Sequence, residues 1–189
     1  AMAARHGVAT IDARACSDVP AAIMDLTGGR GYIEKDWGRA FPAGYVWMHS
    51  NHLAGAPEAS LVASVAIIPW LRSSFRGFIV GLRLGRRLHS WSTYNGSKER
   101  SLTIDDSHVR WSLEGPSGVL ELSAERVRGG LLHAPVRTRM HERVEETLDA
   151  TLGVRLTDPS GHVVLDTTGT SAGLEVHGDL ERLLAVGTR

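Results

Sequence analysis

Short segments of alternating apolar and polar residues make up most of the chain. They are rich in Val, Ile, Leu, Thr and Trp, and Gly, Pro, Asn or Ser separates them at intervals of about 8 to 12 residues. Alternate residues of an extended strand point to opposite faces, so this pattern predicts strands with one buried side. The spacing as a whole predicts an antiparallel all-β sandwich or barrel.

The predicted strands are bounded by turn residues. Asn95-Gly96 is a strong turn signal, because both residues tolerate the positive φ that tight turns demand. The clearest alternation places Ala150, Leu152, Val154 and Leu156 on one side of a strand. The strands are expected at residues 6–14, 21–26, 32–37, 45–52, 60–68, 76–84, 88–94, 102–105, 108–113, 119–126, 150–157, 162–168 and 173–177.

Two segments favour helix. In residues 136–149, Met140, Val144 and Leu148 recur every four positions, as on one helix face, so a short helix competes with a strand there. Residues 180–186 predict a short helix near the end of the chain. One or two short helices are therefore expected beside the strands.

Composition narrows the class of protein. A length of 189 residues predicts one domain over residues 1–189, with 1–3 expected to be a cloning remnant or a processed start. The formal charge is zero, which argues against nucleic acid as a partner. The apolar run 61–70 is far shorter than the roughly 20 residues that span a bilayer, so no stable membrane insertion is expected. Cys16 is the single cysteine, which fits a reducing cytoplasm.

Metal and phosphate sites receive no support. His49 and His52 are three residues apart, so on a strand their imidazoles point to opposite faces and do not share an ion. The glycine-rich residues 27–31 precede a strand and lack a Gly-Lys-Ser/Thr ending, so a sharp turn is the better interpretation. We therefore expect no metal.

Charged and aromatic residues concentrate in two segments, 32–37 and 45–52. If these strands pair as antiparallel neighbours, Glu34 lies opposite His49, Asp36 opposite Trp47 and Tyr32 opposite Asn51. Aromatic surface beside convergent polar groups is typical of a ligand pocket. Structural salt bridges at a sheet end are the alternative interpretation of the same charges.

These segments also carry a family resemblance. Gly-Tyr-Ile-Glu-Lys-Asp-Trp-Gly at 31–38, Phe41-Pro42 and Trp-Met-His-Ser-Asn at 47–51 resemble the tocopherol cyclase family and its bacterial relatives. Leu-Leu-His-Ala-Pro at 131–135 and Ala-Gly-Leu-Glu-Val-His-Gly at 172–178 are similar to later family segments, so the resemblance spans 27–179. It implies a lipocalin-like barrel or half-barrel.

The resemblance implies chemistry without a cofactor. Plant members protonate an alkene of a prenyl chain, and a phenol oxygen captures the cation to close a ring, which needs an acid, a dry pocket and aromatic walls. Glu34 or Asp36 would be the proton donor, with His49 as the third catalytic candidate. The expected substrate-binding residues are Tyr32, Trp37, Tyr45, Trp47, Asn51 and Trp91.

Two departures and two rival functions accompany this interpretation. Plant members have Asn at the position of Asp36 and Gln at that of His49, and they are about twice as long. The chain is therefore expected either to be a fragment lacking an N-terminal half-barrel or to complete its pocket as a homodimer. A lipocalin-like carrier of an apolar ligand and an alkene hydratase are the competing functions.

Overall fold

The computed structural model describes residues 40–136 and 139–188. The chain divides into two compact units, Ala1–Trp37 and Gly38–Arg189, and the described residues belong to the second. The strands predicted at 6–14, 21–26 and 32–37 lie outside the described residues. One domain over the whole chain therefore stays a prediction.

The described residues form one antiparallel sheet and one helix. Its elements are β1 (Gly44–Ser50), β2 (Ala59–Trp70), β3 (Ser73–Leu84), β4 (Arg87–Ser92), β5 (Lys98–Ile104), β6 (His108–Gly115), β7 (Gly118–Glu125), β8 (Gly130–Val136), β9 (Arg139–Thr157), β10 (Val163–Gly178) and α1 (Leu180–Ala185). The all-β prediction is confirmed, and so is the helix expected at 180–186. None of the helices in the described part of the chain is long and apolar enough to cross a membrane.

The sheet is open but must curl. Its strand order is β4-β3-β2-β1-β10-β9-β7-β6-β5, with β8 paired to β9, so β4 and β5 are the edges of the main path. Laid flat, nine strands would separate those edges by roughly 38 Å. Only residues 93–97 connect β4 to β5, and such a link spans at most about 20 Å. The half-barrel prediction therefore holds, whereas a closed barrel does not form because the edges do not pair.

One face of the curled sheet forms the core. On β2 the buried residues Leu61, Ala63, Val65 and Ile67 alternate with less buried neighbours. The predicted alternation on β9 is confirmed, because Ala150, Leu152, Val154 and Leu156 are all buried in the same cluster. The concave interior is therefore filled by side chains.

Within the segment where a helix was the alternative, residue 136 and residues 139–149 form strand. They belong to β8 and to the first part of β9, a strand of 19 residues that pairs with β8, β7 and β10. Val144 is buried but Leu148 is largely exposed, so the spacing of four does not mark one buried face. The helix alternative was wrong because four is also a multiple of two, the period of a strand.

The two strands predicted at 162–168 and 173–177 are one strand, β10. Its pairing with β9 shifts register between Gly169 and Ala172 and again before Leu174. Ser171, inside this irregular stretch, has φ 47°. The bulge keeps pairing continuous through a segment whose small and polar residues predicted a loop.

An ion pair joins distant strands to α1. The Arg76 guanidinium on β3 contacts the Glu99 carboxylate on β5, and these side chains are only 13% and 4% exposed. Arg76 also donates to the carbonyls of Leu183 and Leu184 at 2.8 and 2.9 Å, and the Trp111 indole donates to Glu99 at 3.1 Å. The two buried charges are thus paired with each other, although Arg76 Nε has no hydrogen-bond partner among the described residues, and the pair holds the helix against the sheet.

The turn between β2 and β3 is tight and includes one apolar residue. Trp70 pairs with Ser73, which leaves Leu71 and Arg72 as the turn. Leu71 has φ 52°, a left-handed conformation that costs an L-residue with a side chain roughly 1–2 kcal/mol. Glycine or asparagine would avoid this cost.

Candidate active site

Strand β1 lies in the interior of the sheet. Residues 45–50 pair with β2 on one edge, and residues 44–49 pair with β10 on the other. A strand has only two hydrogen-bonding edges. The expected pairing of 32–37 alongside 45–52, with Glu34 facing His49 across a ladder, is therefore wrong for β1.

The two faces of β1 have different roles. Val46 and Met48 point into the core. Tyr45, Trp47 and His49 alternate with them and therefore lie on the opposite side of the sheet, which we call the outer face. The outer face continues onto β10, where His177, Glu175 and Gly173 pair with these three residues in turn.

An acidic group lies on the outer face. The Tyr45 hydroxyl donates a hydrogen bond of 2.6 Å to Glu175 Oε2. Glu175 also lies directly opposite Glu146 on β9, so the two carboxyl groups project from neighbouring strands on one side of the sheet. Tyr45 is buried and both glutamates are half-buried.

The protonation of this group follows from its surroundings. Burial raises the pKa of Glu146, and the negative charge of Glu175 raises it further. Glu175 is also the acceptor of the Tyr45 hydrogen bond. The arrangement therefore pairs a carboxylate with a neighbouring carboxyl group that binds a proton more readily than an ordinary glutamate.

Aromatic rings adjoin the acids. Trp47 stacks on His49 with ring centroids 6.2 Å apart, and Phe41 stacks on Tyr45 at 5.8 Å. A Cβ added at Gly173 would come within 2.7 Å of the Trp47 ring. Glycine at 173 is thus what allows the indole to lie flat across β10.

His49 is poised as a neutral base. Burial lowers its pKa, and the nearby His52 lowers it further. A neutral imidazole has one unprotonated ring nitrogen, which is the atom that takes up a proton in acid–base chemistry. The outer face therefore combines a proton donor, Glu146, with a proton acceptor, His49, on the same side of three paired strands.

The sequence matches a known protein family. A family model described as tocopherol cyclase-like matches residues 8–178. The chain belongs to this family. No curated protein and no solved structure gives a match. The match begins before the expected boundary at residue 27 and includes every outer-face residue on β1, β9 and β10.

This tocopherol cyclase-like chain brings together only part of the predicted site. Tyr45, Trp47 and His49 share the outer face, and Asn51 follows directly after β1. Trp91 does not join them. It pairs with Val80, and Val80, Ala63 and Met48 are successive partners across β3, β2 and β1, so Trp91 lies in the core. Its indole donates to the Gly118 carbonyl at 3.0 Å.

Four of the residues predicted for the site lie outside the described residues: Tyr32, Glu34, Asp36 and Trp37. Their roles stay predictions. Three outer-face residues, Glu146, Glu175 and His177, were not among the predicted site residues. The sequence carried a signal for two of them. Glu175 and His177 are two residues apart in the family-like segment 172–178, so on a strand they point to the same face.

A small cleft opens elsewhere in the tocopherol cyclase-like fold. It has a volume of about 220 Å³ and is lined by Asp106, Arg126, Val127, Arg128, Glu145, Leu174 and Val176. Leu174 and Val176 pair with Met48 and Val46, so the cleft lies on the core side and not beside Trp47. It is also smaller than the roughly 300–1,000 Å³ of typical ligand sites. Within residues 40–136 and 139–188, no group of three or more His, Cys, Asp or Glu side chains is arranged to hold a metal ion.

Proposed function

We propose that this chain is a cofactor-free cyclase or isomerase that protonates an alkene of an apolar, isoprenoid-type substrate. The observation that supports this most is the Tyr45–Glu175–Glu146 group beside the Trp47 and His49 rings on one face of a family member. Alkene protonation needs an acid that keeps its proton, and burial together with the charge of Glu175 raises the pKa of Glu146 in that direction.

The proposed reaction balances without a further reagent. Glu146 gives its proton to the alkene, which leaves a tertiary carbocation and a carboxylate. The face of Trp47 stabilises the cation through the ring quadrupole. A phenol oxygen of the substrate bonds to the cation and releases its proton to His49. Asn51 and Tyr45 orient the polar head of the substrate.

The acids Glu34 and Asp36 belong to the same proposal. The family resemblance makes one of them the expected proton donor, and Tyr32 and Trp37 would add aromatic wall beside it. Glu146 is the alternative donor. A cytoplasmic setting, and completion of the pocket by a second copy or another half-barrel, also remain proposals.

The carrier hypothesis receives less support. A lipocalin-like carrier encloses its ligand within the barrel, but the concave side here is packed with buried residues that include Trp91, Trp111, Met48 and Leu61. A carrier also has no use for a half-buried pair of carboxyl groups, which cost stability when both are ionised.

The test is turnover of a prenylated hydroquinone, with products separated by chromatography. We expect Glu146→Gln to lower kcat by at least a hundredfold, as loss of a general acid does, while substrate affinity stays within about threefold. Glu121→Gln changes an exposed carboxylate on β7 and is the matched control. Full activity in Glu146→Gln contradicts its role as the acid.

A second variant separates the two acids. Glu34→Gln is expected to abolish turnover and to leave ligand binding near the wild-type level if Glu34 donates the proton. Retained activity in Glu34→Gln together with loss in Glu146→Gln assigns the donor to β9. A wild-type chain that binds the substrate unchanged would support the carrier, and a hydroxylated open-chain product would support the hydratase.

A further inference from the structure

The turn between β2 and β3 exposes apolar surface at a position where the backbone is strained. Leu71 is 93% exposed and Trp70 is 48% exposed. Leu71 also has φ 52°, a conformation in which glycine or asparagine is favoured. In water a leucine at this position is unfavourable in two ways, because its side chain is not buried and its backbone conformation costs free energy. A leucine at this turn needs a partner outside the fold to contribute favourably.

Cationic groups flank this turn. Arg72 is the second turn residue and is exposed. Arg182 of α1 donates to the Ser74 hydroxyl at 3.1 Å, which places a second guanidinium three residues from Leu71. Among the ion pairs of the described residues, neither arginine takes part. We call Trp70, Leu71, Arg72 and Arg182 the β2–β3 tip.

We propose that the β2–β3 tip is a docking site for the surface of a phospholipid bilayer. Leu71 would enter the acyl region, Trp70 would lie at the headgroup level, and Arg72 and Arg182 would contact lipid phosphates. Tryptophan is favoured at that interface because its ring is amphipathic, and arginine binds phosphate through paired N–H donors.

The size of the β2–β3 tip favours a bilayer over a protein partner. A stable protein interface buries about 800 Å² on each side, which a two-residue convex turn does not supply. Insertion into a fluid bilayer needs no matching surface, and its strength follows from the apolar area buried and the charge attracted. This inference stands apart from the proposed function, because it uses neither the outer face nor its acids.

The experiment is co-sedimentation of the full chain with vesicles of phosphatidylcholine containing a minor share of phosphatidylglycerol. Wild-type protein is expected to bind, and Leu71→Gly to bind roughly tenfold more weakly because one leucine side chain is no longer buried. Arg72→Gln should weaken binding about fivefold on these vesicles and little on pure phosphatidylcholine.

Folding does not confound this comparison. Leu71→Gly and Leu71→Asn both suit the left-handed turn, so each should unfold at or above the wild-type temperature while losing vesicle binding. Leu88→Ser is the matched control, because Leu88 is an exposed leucine on β4 with 67% of its surface accessible. It should bind vesicles as the wild type does.

Three results of the vesicle assay would overturn the proposal. They are wild-type protein that stays in the supernatant, Leu71→Gly that binds like the wild type, and Leu88→Ser that loses as much binding as Leu71→Gly. Concentration-dependent self-association that disappears in Leu71→Gly would also overturn it, since the tip would then dock on a second copy of the chain.

Discussion

Removal of the Glu99 carboxylate tests whether the ion pair between β3 and β5 holds the curled sheet. Glu99→Ala leaves the Arg76 guanidinium, which is 13% exposed, without its anionic partner. Breaking one side of a buried pair costs about 3–5 kcal/mol, because the remaining charge stays desolvated. The Trp111 indole N–H also loses its acceptor. Two carbonyls of α1 still accept hydrogen bonds from Arg76, so we expect about 3–4 kcal/mol of destabilisation.

Urea and thermal unfolding measure this loss. For a chain of this size, each kcal/mol corresponds to about 2–4 °C, so Glu99→Ala should unfold roughly 10 °C below the wild type. Glu114→Ala is the matched control, because Glu114 on β6 pairs at 3.0 Å with Arg100, the neighbour of Glu99 on β5, but both side chains are half exposed. Such a pair contributes at most about 1 kcal/mol.

A double variant separates charge burial from loss of packing. Arg76→Met combined with Glu99→Leu removes both charges and keeps apolar volume, so it should be more stable than Glu99→Ala alone. The reasoning is refuted if Glu99→Ala loses no more stability than Glu114→Ala, or if the double variant is the least stable of the set.

Two further predictions concern the outer face. Between the ordinary pKa of a glutamate and the raised pKa of Glu146, the folded protein binds more protons than the unfolded chain. The free energy of unfolding therefore falls as pH rises through this range. Glu146→Gln should match the wild type at about pH 4 and exceed it at about pH 8 in thermal unfolding, and equal pH profiles would contradict the assignment. Gly173→Ala should displace the Trp47 ring, lower substrate affinity and shift the indole emission, whereas Gly187→Ala, at a site with no atom within 4 Å of the added Cβ, should leave affinity and emission unchanged.

Strand positions were predictable because each strand has its own local signal. Alternation located β2 and the second half of β9, and glycine or asparagine located the turns that bound them. Strand order was not predictable, because β1 pairs with β10 across more than 120 residues of chain. Local pattern contains no information about such a pairing, and that is why the expected partner of β1 was wrong.

The sequence predicted part of the outer-face cluster for the same reason, and the roles of its residues stay predictions. Tyr45, Trp47 and His49 are two residues apart along one strand, and this spacing was enough to predict that they lie on one face. Glu146 became a neighbour only through the register of β9 against β10, and its raised pKa depends on Glu175 in that register. Trp91 lies in the core and not on the outer face, because an aromatic residue on a strand gives no sign of which face is buried, and its substrate-binding role stays a prediction.

The short link between β4 and β5 has a mechanical consequence. Curvature of the sheet is imposed by chain connectivity at residues 93–97 and not by hydrogen bonds between the edges. The gap between β4 and β5 is therefore a seam that can widen without breaking any backbone ladder. Lengthening the link by a few residues would remove this restraint, and the width of the seam would then depend on side-chain packing and on the Arg76–Glu99 ion pair.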